Sequence, residues 1–251
     1  MWGQICTFSL MSTLSDKVQV FYKHLFDWTY QQMSQDDSNT PINIFKDQFS
    51  FANIIKLDPK HGLNSHWLPY FSVEDISTSC ESVKNAGGAV CFDPVTIPGF
   101  GVTTLITDPE GGACHIFQPE DKTPPKPRLS SRNGFFCWLE LYADEPAAVK
   151  DFYDQVFPWH TQQEKMPADP EYQLVKNDRS VIAGITKKPE VLSRERSIWI
   201  PFVSVADLND RMANVKAAGG LLLDEVRPAP EGQYRICRDP GKALFAIYQR
   251  S

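Results

Sequence analysis

The sequence predicts an α+β fold made by tandem duplication, with four βαβββ units in a row. Three observations carry that expectation: the chain repeats itself at a fixed spacing, each copy alternates amphipathic helices with short strands, and a Pro-rich segment divides the copies. The repeat is the firmest of the three. "VQVFYKHLFDW" (18–28) matches "VKDFYDQVFPW" (149–159), setting Phe21 and Phe152 131 positions apart. "WLPYFSVEDI" (67–76) matches "WIPFVSVADL" (199–208), and "VKNAGGAV" (83–90) matches "VKAAGGLL" (215–222), both at 132. The Asp-Pro pairs at Asp108 and Asp239 return to 131 after one residue is lost in a loop. Self-similarity in register along a chain marks duplicated structural units.

Each copy opens on a strand, Gln4 to Met11 and Phe135 to Tyr142. A helix follows, because Val18, Phe21, Tyr22, Leu25 and Phe26 recur at the spacing of one apolar helical face. Val149, Phe152, Tyr153, Val156 and Phe157 repeat that face. Three short strands come next in copy one, near 28–34, 42–47 and 50–57. The second half begins with the strand "HWLPYFSV" and a helix closed at Gly87-Gly88, where glycine supplies the left-handed residue past the last turn. Strands near 89–92, 100–106 and 112–118 complete the copy. "PEDKTPPKPRLSSRN" (119–133) is stiff and polar without a core-forming pattern, and reads as a linker. The expected domains are 1–120 and 134–251, joined by 121–133.

Bulk properties exclude several functions. A net charge of -6 gives no basic face for phosphates, so nucleic acid is not an expected partner. No apolar run is long enough for a bilayer, and "MWGQICTFSLMS" lacks the basic start and apolar core of a secretory signal. Six cysteines form no C-x-x-C pair and sit in apolar strand patterns, the usage of reduced thiols in a cytoplasmic protein. Zinc motifs of the H-x-x-E-x type, a G-x-S-x-G elbow and phosphate loops are absent from the sequence.

With the "W-x-P-[YF]-x-S-V-x-D" strand, the "V-K-x-A-G-G" helix end and the "D-P-x-G" turn before a final strand, the chain resembles the vicinal oxygen chelate superfamily over nearly its whole length. That group contains glyoxalase I, bleomycin-resistance proteins, fosfomycin-resistance enzymes and extradiol dioxygenases. The resemblance implies two cupped mixed β-sheets with helices outside and a cavity within. It also implies, in metal-dependent members, ligands on the first and last strands of each unit.

Strand parity selects the cavity-facing side chains. Cys6, Phe8 and Leu10, and Cys137, Leu139 and Leu141, form apolar sets expected under the helices. Thr7 and Ser9, with their counterparts Trp138 and Glu140, are then expected to face the cavity, as are Leu68, Tyr70 and Ser72 with Ile200, Phe202 and Ser204. Seven residues after the turn Asp stand His115 in copy one and Ala246 in copy two, with Phe117 and Tyr248 two residues on. The resemblance places a metal-binding carboxylate near that position. Here the ledger holds only His115 and Asn53 in copy one, with His66 nearby, short of the three firm ligands that a metal site requires.

His115 has three readings: a hydrogen-bonded cavity histidine beside Tyr70, Ser9 or Asn53, an acid–base or substrate-binding group, and a metal ligand. Glu140, an acid in a strand of aromatic and aliphatic residues, suits an acid or base, a grip on a substrate hydroxyl, or a structural bond to Arg or backbone donors. The expected catalytic residues are Glu140 and His115. The expected ligand-binding residues are Trp138, Tyr172, Phe202, Tyr248, Tyr70, Ser9 and Phe117, an apolar set with a few polar groups suited to a small organic ligand. Tyr172 belongs equally to an aromatic core, and Trp67 and Trp199 are expected to be structural.

Three function classes follow: a metal-independent lyase or isomerase, a ligand-sequestering protein like the bleomycin-resistance proteins, and a divalent-metal-dependent lyase or dioxygenase using His115, Asn53 and His66. No cofactor is expected under the first two, and a divalent metal under the third. A small molecule is the expected partner, to a monomer (duplication internalising a dimer interface) or a homodimer.

Overall fold

The structure is a computed structural model that describes residues 1–34, 40–166, 169 and 171–251, with His61 described by its backbone. In copy one the order is β1 (Ile5–Ser12), α1 (Ser15–Phe26), β2 (Thr29–Gln32), β3 (Ile42–Lys46) and β4 (Phe49–Lys56), then β5 (His66–Ser72), α2 (Ile76–Asn85), β6 (Ala89–Val90), β7 (Val95–Ile97), β8 (Gly101–Thr107) and β9 (Ala113–Pro119). Copy two follows with β10 (Phe136–Ala143), α3 (Pro146–Val156), β11 (His160–Gln163), β12 (Gln173–Lys176) and β13 (Val181–Lys187), then β14 (Ile198–Ser204), α4 (Leu208–Ala217), β15 (Leu221–Ala229), β16 (Gly232–Arg238) and β17 (Leu244–Arg250). Two mixed sheets result, one from each copy, in the orders β2-β3-β4-β1-β5-β9-β8-β6 (with β7 on β8) and β11-β12-β13-β10-β14-β17-β16-β15. The strand expected near 89–92 is thus two pieces, β6 and β7, both paired with β8. Pro94 lies between them, and proline has no N–H to give to a ladder. No described helix is long and apolar enough to cross a membrane.

Compactness divides the chain into two units. One holds 1–6, 69–128 and 139–199, and the other holds 7–68, 129–138 and 200–251. Each unit therefore contains one βαβββ module from each copy, and its core is built by both.

In the first unit the anchor is Asp108, 3% exposed, at the turn between β8 and β9. Its Oδ1 accepts the N–H groups of Glu110 (2.9 Å) and Gly112 (2.8 Å). Its Oδ2 accepts the hydroxyls of Ser197 (3.0 Å) and Tyr153 (3.2 Å), and Trp199 Nε1 donates to Tyr153 Oη at 3.0 Å. Gly112 is glycine because the carboxylate folds back over it: a Cβ there would lie 2.3 Å from Asp108 Oδ2. The second unit repeats the device. Tyr22 donates to Asp239 Oδ2 at 3.1 Å, Trp67 Nε1 donates to Tyr22 at 3.0 Å, and Ala243 N–H bonds Asp239 Oδ1 at 2.9 Å. Trp67 and Trp199 are structural, as expected, because each indole N–H is used within these chains.

The repeated motifs find their reasons in the same cores. Gly87 and Gly219 take φ of 85° and 86°, the left-handed conformation expected at the ends of α2 and α4. The next glycines carry packing constraints. A Cβ on Gly88 would meet the Phe152 ring at 2.5 Å, and one on Gly220 would meet Phe21 at 2.8 Å. Trp159 Nε1 donates to the Gly3 carbonyl (3.0 Å) and Trp28 Nε1 to the Gly134 carbonyl (2.7 Å), so the tryptophan after each first helix ties down the start of the other copy's first strand.

Burial raises the carboxyl of Asp239 to about 6, above its ordinary 3.8, against the lowering effect of its hydrogen bonds; Asp108 shifts upward for the same reason. The folded state then holds more protons than the unfolded state between those values. Asp239 accordingly favours folding less as pH rises from about 4 to 6 and has no further effect above that. Urea unfolding from pH 4 to 7 should show a shallower fall in stability for Asp239→Asn than for the native chain, with a difference in slope of at most about 1.4 kcal/mol per pH unit. Tyr153→Phe should lower stability by about 1–3 kcal/mol, because it strands the Trp199 N–H and removes a donor from a buried carboxylate. A drop in the urea midpoint at constant m-value checks this.

Candidate functional site

The polar centre of the first unit is built on β10 and β13, which pair in parallel with Glu140 opposite Gly184. Glu140 is buried, and both of its oxygens take phenol protons. Tyr142 donates to Oε2 at 2.7 Å and Tyr172 donates to Oε1 at 2.9 Å. Tyr142 lies two residues along the same strand, so period-two geometry puts it on the Glu140 face. Tyr172 arrives from the segment before β12 and crosses over Gly184, where a Cβ would sit 1.8 Å from its hydroxyl oxygen. Gly184 is thus the gap that admits Tyr172. Hydrogen bonds to an ionised acceptor are shorter and stronger than neutral ones, so two phenols hold the carboxylate in a fixed orientation.

The same unit contains the His115 array. Tyr70 and His115 are cross-strand partners on β5 and β9, and their rings stack with centroids 4.1 Å apart and planes 4° off parallel. Thr103 Oγ1 lies 3.2 Å from His115 Nδ1 and gives its own proton to the Ile116 carbonyl at 2.9 Å. That leaves the threonine oxygen as acceptor, so Nδ1 carries the imidazole proton. Phe117 and Tyr70 cluster with Cys6. Here the expectation is corrected: Cys6 was placed with Phe8 and Leu10 under the helix, yet it packs with the residues expected on the cavity face. Along β1 all residues but Thr7 and Met11 are buried, so burial does not alternate there. On β10 Cys137 and Trp138 are both half-buried and the rest of the strand is buried. Burial pushes both thiols up to about 12, so neither is a nucleophile near neutral pH.

The second unit holds the remaining expected residues. Ser9 and Asn53 are partners on β1 and β4, and Ser9 Oγ donates to Asn53 Oδ1 at 2.7 Å. Phe202 packs against Tyr234 with ring centroids 4.9 Å apart, and its carbonyl lies 3.5 Å from the Cys137 sulfur. Tyr248 sends its hydroxyl to the Glu231 carbonyl at 2.9 Å. Trp138 is half-buried at the start of β10. His66 Nδ1 lies 2.9 Å from the Asn64 carbonyl, and burial lowers its pKa below the ordinary imidazole value. Among the described residues no group of three His, Cys, Asp or Glu side chains is placed to hold a metal.

Sequence reasoning found Glu140 and Tyr172 separately and set Tyr142 on the Glu140 face without giving it a role at the site. The Gly184 clearance had no signal in sequence.

No protein-family model matches this chain. The chain is 25% identical over 247 residues to "Putative glyoxylase CFP32" of Mycobacterium tuberculosis, covering 95% of this chain and 91% of that protein. It is 24% identical over 245 residues to "Anthracycline biosynthesis protein DnrV" of Streptomyces peucetius, covering 91% and 86%. The structure is similar to that of catechol 2,3-dioxygenase, with a TM-score of 0.63 at 14% identity, covering 100% of this chain and 88% of that one. It is also similar to the Mn(II)-bound glyoxalase from Novosphingobium aromaticivorans, with a TM-score of 0.62 at 14% identity, covering 99% and 82%. The fold is the one these two solved structures share, over nearly the whole chain.

Gly184→Ala should evict Tyr172 from Glu140. Overpacking of this kind lowers stability by about 1–3 kcal/mol. Thermal unfolding should show the loss, and an added Tyr172→Phe should recover little of it, because the ring still clashes; Tyr172→Ala should recover most.

Proposed function

We propose that this protein acts on a small organic molecule as a metal-independent lyase or isomerase, with Glu140 as the acid–base residue. One observation carries the reading: a buried carboxylate oriented by two tyrosine hydroxyls and opposed by a glycine on the neighbouring strand. A positioned carboxylate of this kind can take a proton from a carbon next to a carbonyl and return it elsewhere, the net proton shift that lyases and isomerases require. Tyr172 and Tyr142 supply donors that steady the carboxylate in its charged form and turn it toward the reacting carbon. Within the first unit Tyr70, Phe117 and His115 are further proposed ligand-contacting residues, and within the second Trp138, Phe202, Tyr248 and Ser9 are. The relatives named as a glyoxylase and as an anthracycline biosynthesis protein support a small, oxygen-rich organic substrate.

A second reading, sequestration of a ligand, is favoured by the fact that both Glu140 oxygens already accept phenol protons, an arrangement equally suited to gripping a hydroxyl. Glu140→Gln separates the two on a panel of hydroxyketones and hydroxyquinones. Under the enzymatic reading, kcat should fall about 100- to 10,000-fold with KM little changed. Unchanged turnover in Glu140→Gln overturns it, and saturable binding without turnover by the native chain establishes sequestration. Activity lost to a chelator and restored by Mn(II) establishes the metal-dependent alternative instead.

A further inference from the structure

We infer that Asp169 and Thr186 are positioning residues that hold the Tyr172 hydroxyl on Glu140; the inference deepens the acid–base reading of Glu140 and rests on it. Thr186 Oγ1 donates to Asp169 Oδ2. The other oxygen of that carboxylate, Oδ1, accepts the Glu171 N–H at 2.9 Å, and the Asp169 carbonyl accepts the Tyr172 N–H at 3.5 Å. On the other side, just past β11, the Glu164 N–H bonds the Tyr172 carbonyl at 2.8 Å. The Tyr172 backbone is thus tied at both its N–H and its carbonyl. A tyrosine has only two side-chain torsions, so fixing the backbone goes far toward fixing the hydroxyl that meets Glu140 Oε1.

One strand supplies both constraints. Gly184 lies opposite Glu140, and Thr186 lies opposite Tyr142. Residues two apart on a strand share a face, so Gly184 and Thr186 look the same way from β13. At Gly184 that face leaves the gap that the Tyr172 ring crosses, and at Thr186 it anchors the segment that carries the ring. Gap and anchor belong to the strand that is paired with the one bearing Glu140. A residue outside the strands is thereby placed with the precision of a strand residue. Precision of this order matters, because a displacement of about 1 Å in a catalytic group costs on the order of 100-fold in rate.

Copy one shows that the sheet itself does not need the Thr186 hydroxyl. Its β1–β4 ladder pairs Ser9 with Asn53 and Met11 with Ile55, where β10–β13 pairs Glu140 with Gly184 and Tyr142 with Thr186. All four positions correspond at the repeat offset of 131, so Ile55 stands where Thr186 does. An apolar side chain is accepted there in the copy that has a serine in place of Glu140. The hydroxyl occurs in the copy that carries the carboxylate, the two phenols and the gap. Thr186 and Asp169 act through Tyr172 and not on the substrate.

Fluorine NMR of the chain labelled with 3-fluorotyrosine reads this contact without a substrate. The chain has eight tyrosines, and Tyr172→Phe assigns the Tyr172 resonance. Asp169→Ala and Thr186→Val should each move that resonance toward the position it takes in Glu140→Gln. Asp169→Asn and Thr186→Ser, which can still meet both partners, should leave it at its native position. If Asp169→Ala does not fold, Thr186→Val carries the same expectation, at a position where the twin strand holds Ile55. Turnover of the hydroxyketone and hydroxyquinone panel supplies the second readout. Asp169→Ala and Thr186→Val should lower kcat about tenfold with KM changed by less than about twofold, and the two conservative variants should keep the native kcat. Because both changes break one contact, adding Asp169→Ala to Tyr172→Phe should lower the rate no further. An unmoved resonance in Asp169→Ala and Thr186→Val, or rate losses that add in the double variant, overturns the inference, and leaves the acid–base reading standing where Glu140→Gln is inactive. Full turnover by Glu140→Gln overturns that reading and this inference with it.

Discussion

Two buried aspartates hold this fold together. Asp108 belongs to copy one, yet two of its donors, Tyr153 and Ser197, come from copy two. Asp239 belongs to copy two, and its phenol donor, Tyr22, comes from copy one. A carboxylate this deeply buried is costly unless its lone pairs are met. Either copy alone would leave its turn aspartate short of a hydroxyl donor and its own Trp28 or Trp159 without the carbonyl to which it donates. Each compact unit draws a strand, a helix and a hydrogen-bond chain from both copies.

The same chemistry appears at Glu140. Asp108 and Asp239 each accept a backbone N–H on Oδ1 and a tyrosine hydroxyl on Oδ2, which ties them to the turns that shape the sheets. Glu140 accepts a tyrosine hydroxyl on each oxygen.

Comparison of the copies separates scaffold from site. The residues that pack helix on sheet recur: Phe21 with Phe152, Tyr22 with Tyr153, Trp67 with Trp199, Gly88 with Gly220. The residues on the other faces diverge: Ser9 with Glu140, His115 with Ala246, Thr103 with Tyr234, Val95 with Arg227. Close packing tolerates little change of shape, so the shared core keeps its residues in both copies. Faces away from that core carry no such constraint and can acquire different chemistry.

The sequence by itself determined the repeat, the four helices, the helix-closing glycines, and the face shared by Glu140 and Tyr142. These follow from local periodicity, since an apolar residue every three or four positions, or every second one, is a property of the segment that contains it. It left Tyr70, Ser9 and Asn53 open as hydrogen-bond partners of His115, whereas the structure stacks His115 on Tyr70 and sets its Nδ1 against Thr103. Parity failed at Cys6, which packs with Tyr70 and Phe117, residues expected on the opposite face. The tertiary structure alone decided which module joins which, that Asp108 waits for Tyr153, and that Gly184 exists to let Tyr172 reach Glu140. Those are statements about which distant side chain fills a space or meets a donor. Such pairings depend on where the chain returns in three dimensions, and no period along the sequence records that.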